Sequence, residues 1–130
     1  SVDAVVSLDL GCVSWRDTYF ADGSVKRKSL EAAIAAAQAR VEPVRELLPA
    51  KLARVYASSG TAKMLCSIAR ELGQPANVIS EKSLKKVGKQ IFGFDKVDDI
   101  VLPGLKPQRQ DVLLPGFAIM RAILSTLALE

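Results

Sequence analysis

A chain of 130 residues, 49% hydrophobic and 25% charged, has the composition of an ordinary soluble globular protein with room for one modest core. Its net charge of +4 leans toward anionic partners but lacks the clustering of a dedicated nucleic-acid domain, so no specific nucleic acid is expected. With no histidine there is no Ser-His-Asp or Cys-His catalysis and no zinc site built on imidazole. Cys12 and Cys66 make neither a four-cysteine metal site nor a disulfide framework, and read as buried thiols of a cytoplasmic protein.

In chain order, Val5 to Leu10 alternates at period two over Val6, Leu8 and Leu10, which predicts a strand ended by Gly11. Val13 to Phe20 reads as a short helix and Asp22-Gly23 as a turn. From Lys28 to Leu48, the residues Leu30, Ile34, Ala37, Val41, Val44 and Leu48 step by four and three, the signature of one helical face. Pro43 removes the amide that would bond the carbonyl of Ala39, which predicts a kink or break there.

Leu52 to Ala57 is a second strand candidate, followed by Ser58-Ser59-Gly60-Thr61 and a helix reaching Leu72. Gly73 and Pro75 are its stop signals. Ser80 is a good N-cap for a helix from Glu81 to Phe92 with Leu84, Val87 and Ile91 on its apolar face. Asp95 to Ile100 suggests a short helical turn and Leu102 to Leu105 a loop. Pro107 suits the first turn of a long, buried final helix, with a kink expected at Pro115-Gly116. The apolar run Val112 to Leu127 contains Pro115 and Arg121 and is shorter than the roughly 20 residues of a membrane span.

Strand, then Ser58-Ser59-Gly60-Thr61, then helix is an anion-binding arrangement. The first amides of a helix have no internal partner, and the aligned peptide dipoles place positive charge there. Gly60 permits close approach, the hydroxyls of Ser58, Ser59 and Thr61 can donate to phosphate oxygens, and Lys63 supplies charge. The bland alternative is an ordinary N-cap and turn. The spacing is not that of a Walker loop. Arg109 and Asp111 are a second candidate pair, for a cleft or for structure; their plain reading is exposed or locally paired charge. Lys26-Arg27-Lys28 and Lys85, Lys86 and Lys89 read as solvated helix faces more often than as a phosphate groove. Trp15 and Tyr19 read as packing residues rather than a stacking platform for a base. Nothing in the sequence pairs two glutamates as a general acid and base.

Four segments in order resemble the exopolyphosphatase and guanosine pentaphosphatase family. They are Ser7-Leu8-Asp9-Leu10-Gly11-Cys12-Val13-Ser14-Trp15, Ala57-Ser58-Ser59-Gly60-Thr61-Ala62-Lys63, Ile79-Ser80-Glu81-Lys82-Ser83-Leu84, and Leu102-Pro103-Gly104-Leu105 running on through Arg109 and Asp111 to Pro115-Gly116-Phe117-Ala118-Ile119. The resemblance implies an α/β fold: a partial ribonuclease H-like domain of the actin-like ATPase type, helix-rich with few strands. Residues 1–130 would form a single partial domain, part of the second of two around a cleft, with Leu129-Glu130 resembling an expression-vector remnant. It implies release of terminal phosphate from inorganic polyphosphate or guanosine pentaphosphate, usually with a magnesium ion. Ser58, Ser59, Gly60, Thr61 and Lys63 would line the cleft.

The family's two acidic, glycine-rich phosphate loops and its catalytic glutamate would precede the first matched segment. No catalytic residue and no metal ligand is therefore expected within this sequence, and the missing first domain is its implied partner. Ala57 departs from the glycine usual at the head of the loop. An exposed sheet edge would favour dimers or strand addition. Two other readings remain: a relative that binds guanosine polyphosphates or polyphosphate, or docks a partner, without hydrolysis; and a stand-alone module for an acidic protein or nucleic acid, whose affinity would fall steeply with salt.

Overall fold

The computed structural model describes residues 12–45, 60–73 and 81–126. The strands expected at Val5–Leu10 and Leu52–Ala57 lie outside the described residues. What is described is helix-rich: α1 (Cys12–Tyr19), α2 (Arg27–Arg45), α3 (Gly60–Glu71), α4 (Glu81–Ile91) and α5 (Leu113–Thr126), with 3₁₀ helices at Val97–Asp99 and Pro107–Val112.

The apolar helix α5 is the hub and contacts each of the other four. Every residue from Leu113 to Met120 is buried, as the all-round apolar pattern requires. Burying side chains such as Leu113, Leu114 and Phe117 stabilises the fold by roughly 1.5–3 kcal/mol apiece. Helix α2 is its main neighbour. Small residues are among the most deeply buried on both helices: Ala33 and Ala37 on α2, and Ala118 and Ala122 on α5. The deepest row of α2 is thus Leu30, Ala33, Ala37 and Val41, with Ile34 only half-buried, a rotation from the stripe read off the larger side chains. Gln38 Nε2 donates to Ser125 Oγ at 3.0 Å across the same pair of helices.

Two proline expectations need correction. Helix α2 continues past Pro43 to Arg45, so of the kink or break expected there the break is excluded. The final helix does not run α-helical from Pro107. It starts as a 3₁₀ segment, and α5 begins at Leu113, whose amide donates to the carbonyl of Gln110. Pro115 therefore falls in the first turn of α5, where its missing amide costs nothing and its fixed φ suits the helix.

The turns follow their residues. Helix α3 closes at Gly73, with φ +88°, whose amide donates to the carbonyl of Arg70 at 3.0 Å. The loop after α1 is clasped to the loop after α4: Val25 donates to Asp95 and Val97 to Gly23, each at 2.8 Å, around an antiparallel bridge between Ser24 and Lys96. Trp15 is buried and its indole N–H donates to the carbonyl of Ala33 at 3.1 Å, pinning α1 to α2. Tyr19 sits beside it, ring centroids 6.0 Å apart. Both side chains are packing residues.

Candidate functional site

Helix α3 starts at Gly60, so Gly60, Thr61 and Lys63 occupy its first turn, where amides lack intrahelical acceptors. Ser58 and Ser59 lie outside the described residues, and Thr61 and Lys63 are placed by backbone alone. The first turn of α3 carries no acidic residue, so nothing in that turn opposes an incoming anion.

The body of α3 is held firmly. Met64, Leu65, Ile68 and Ala69 are buried in the core. On its flank the loop at Gly104 lies against the helix backbone. A methyl group built on Gly104 would stand 2.7 Å from both the carbonyl carbon and oxygen of Ser67 and 2.9 Å from the amide nitrogen of Ile68. Gly104 also has φ +87°, which side chains rarely adopt. The Leu102 to Leu105 segment is thus a glycine-dependent clamp on the helix whose N-terminus forms the candidate anion site. Cys66, on the same helix, is a half-buried free thiol, and desolvation raises its pKa above the ordinary value of 9.0. The side chain of Cys12 is not described.

Arg109 and Asp111 do not pair with each other. Asp111 Oδ2 accepts from Arg16 Nη1 at 2.5 Å, while Arg16 Nε donates to Asp17 at 3.2 Å. The two carboxylates, Asp17 first and Asp111 second, hold the guanidinium proton more firmly than usual. This ties α1 to the 3₁₀ helix Pro107–Val112. Arg109 is exposed and forms no ion pair among the described residues. Between them, Gln110 Nε2 donates to the carbonyls of Asp98 and Ile100 at 3.0 and 2.9 Å, locking the two 3₁₀ helices together.

Among the described residues no three Asp, Glu or Cys side chains gather as a metal site. No described helix is long and apolar enough to cross a membrane.

The two basic stretches, read chiefly as solvated faces, partly converge in the fold. Helices α2, α4 and α5 enclose an open groove of about 330 Å³. Arg27, Lys85, Lys89 and Arg121 line it with a single carboxylate, Glu31. The lysines are exposed, as a solvated face should be, but the fold sets them opposite two arginines from other helices. Spacing along the chain shows only the i, i+4 relation of Lys85 and Lys89.

The family model described as the Ppx/GppA phosphatase family matches residues 1–130, and the chain belongs to that family. Among its curated relatives is a guanosine-5'-triphosphate,3'-diphosphate pyrophosphatase of Aeromonas hydrophila, 36% identical over 125 residues, covering 95% of this chain and 25% of the relative. Proteins of the same name from Photobacterium profundum and Vibrio parahaemolyticus are each 30% identical over 128 residues, covering 98% of this chain and 26% of theirs. The chain therefore spans about a quarter of the length of these relatives.

Proposed function

We propose that this chain is part of a phosphohydrolase that releases terminal phosphate from inorganic polyphosphate or guanosine pentaphosphate. The observation that carries the reading is the family match over residues 1–130, together with relatives named as guanosine-5'-triphosphate,3'-diphosphate pyrophosphatases. In this reading the chain belongs to the second of two ribonuclease H-like, actin-like domains of a cytoplasmic protein, with the first domain as its partner across the cleft.

The chain's own part is to bind and orient. The amides opening α3 at Gly60, with the hydroxyls of Ser58, Ser59 and Thr61 and the ammonium of Lys63, take the non-bridging oxygens of the phosphate chain. Such donors, fixed before the substrate arrives, stabilise charge as water attacks the terminal phosphorus and the phosphoanhydride bond breaks. Attack forms the bond to water's oxygen, the bridging oxygen leaves with the shortened chain, and the proton passes to a base on the other domain. Arg109 stands exposed in the last of the four family-like segments and is a further candidate for the cleft wall.

The test compares the 130-residue chain with a protein spanning the full length of its relatives. Orthophosphate release from polyphosphate and from guanosine pentaphosphate is expected from the longer protein only. Lys63→Ala in that protein should lower kcat/KM roughly tenfold or more. Release by the 130-residue chain alone would overturn the assignment of catalysis to the other domain. A longer protein that binds these anions without cleaving them would replace hydrolysis by binding as the function.

A further inference from the structure

We propose that the groove between α2, α4 and α5 binds a short oligophosphate, free or carried by a nucleotide, independently of the Ser58 to Lys63 segment. None of the residues lining it belongs to that segment. The proposal does not rest on hydrolysis, since binding in the groove can be measured whether or not the protein cleaves its substrate.

Charge is the first argument. Four cations from three helices face one volume with only Glu31 among them. The ion pairs of the described residues lie elsewhere, at Arg16 with Asp17 and Asp111 and at Lys26 with Asp22. Arg27, Lys85, Lys89, Arg121 and Glu31 enter none of them. Like charges converging on a concave surface repel each other until a counter-charge arrives, and a cleft concentrates their field on whatever enters.

Geometry is the second. Arg27 Cζ stands 4.3 Å from the centroid of the Phe92 ring, and Arg121 Cζ stands 5.9 Å from that of Phe117. Each guanidinium thus rests on an aromatic face, which restricts its motion and leaves its N–H edge available to phosphate oxygens. Lys85 and Lys89 sit one helical turn apart on α4, so two point charges run along the groove beside the two planar forks. A row of cations suits a row of phosphates better than a single carboxylate.

Size and floor are the third. The volume sits at the lower end of small-molecule pockets, roughly 300–1,000 Å³, which admits a small ligand and not a protein segment of any bulk. Leu30, Ile34 and Phe117 floor it. Gly88 sets its depth: a methyl group there would stand 2.9 Å from Phe117 Cζ, so glycine is what lets α4 lie so close over that ring.

The experiment is calorimetric titration of the 130-residue chain with inorganic tripolyphosphate and, in a second arm, with GTP, each at low and high salt. Saturable binding that weakens with salt is expected. Lys85→Ala with Lys89→Ala should weaken it about tenfold or more, because two charge-assisted contacts are lost. Lys82→Ala with Lys86→Ala removes the same charge from exposed positions of the same helix that do not line the groove, and should change affinity less than about twofold. Glu31→Gln should tighten binding. Equal affinity for the two probes assigns recognition to the phosphates, and tighter binding of GTP adds the apolar floor as a base site. Absence of saturable binding by either probe, or equal losses from the two lysine pairs, would overturn the proposal.

Discussion

Replacing Gly104 by alanine tests the clamp on α3. The substitution does two things that can be separated. Placing a side chain at φ +87° costs about 1–2 kcal/mol, since a left-handed L-residue crowds its own carbonyl. The added methyl also meets the backbone of Ser67 at 2.7 Å and Ile68 at 2.9 Å, closer than van der Waals contact allows, and backbone cannot swing aside as a side-chain end can. Overpacking of this kind costs about 1–3 kcal/mol more. Gly23 is the internal control: its φ is +71°, yet a methyl group there meets nothing within 4 Å. Gly23→Ala should therefore show the conformational part alone. Urea unfolding of the 130-residue chain, followed by far-UV circular dichroism, should give Gly104→Ala a loss of about 2–5 kcal/mol and Gly23→Ala about 1–2 kcal/mol, with unchanged m-values. Equal losses at the two positions would refute the clamp. In the longer protein, the surviving Gly104→Ala fraction should also bind phosphate more weakly, because the loop can relieve the clash only by shifting the helix that opens at Gly60.

The remaining predictions address single contacts. Trp15→Phe keeps the buried ring but deletes the donor to the Ala33 carbonyl, and should cost about 1–2 kcal/mol by the same urea assay. Asp22 accepts from the Ser24 amide at 2.9 Å, the main cause of a pKa below its ordinary 3.8. The stability it contributes is present above that value and is lost as pH falls through the lowered one; carboxyl NMR titration should find its midpoint below 3.8, and Asp22→Asn should remove this part of the acid sensitivity. Cys66 should stay a thiol until pH rises above its ordinary 9.0, so in a Cys12→Ser background disulfide-reagent labelling near neutral pH should run slower in the folded chain than in urea.

Periodicity located what periodicity controls. Leu84, Val87 and Ile91 are buried on α4, as their spacing predicts, because one face of a short helix meets one core; on α3 the face expected through Met64 or Leu65, Ile68 and Leu72 holds at Met64, Leu65 and Ile68, while Leu72 at the helix end is only half-buried. The Gly73 stop was legible for the same local reason. Readings failed where a neighbour decides. The most buried row of α2 runs through Ala33 rather than Ile34, since no pattern within α2 shows which of its faces its neighbours cover. Pro115 read as a mid-helix fault because the run from Pro107 looks continuous; the 3₁₀ segment before it moves the α-helical start to Leu113 and makes the proline a first-turn residue. Arg109 and Asp111 are neighbours in sequence, yet Asp111 turns to Arg16, ninety-five positions away.

The basic groove is the sharpest instance of the same limit, and it bears on function. A lysine run on one helix is ordinary solvated surface when its opposite wall is unknown. Lys85 and Lys89 acquire a different meaning only when Gly88 brings α4 down onto Phe117 and so carries them to Arg121 on α5 and Arg27 on α2. Gly88 is silent as a sequence signal, since glycine inside a helix reads first as a weakness of about 1 kcal/mol relative to alanine. The Ser58 to Lys63 segment is one proposed anion site, while the groove formed where α4 packs on α5 is a second proposed site lined by none of those loop residues.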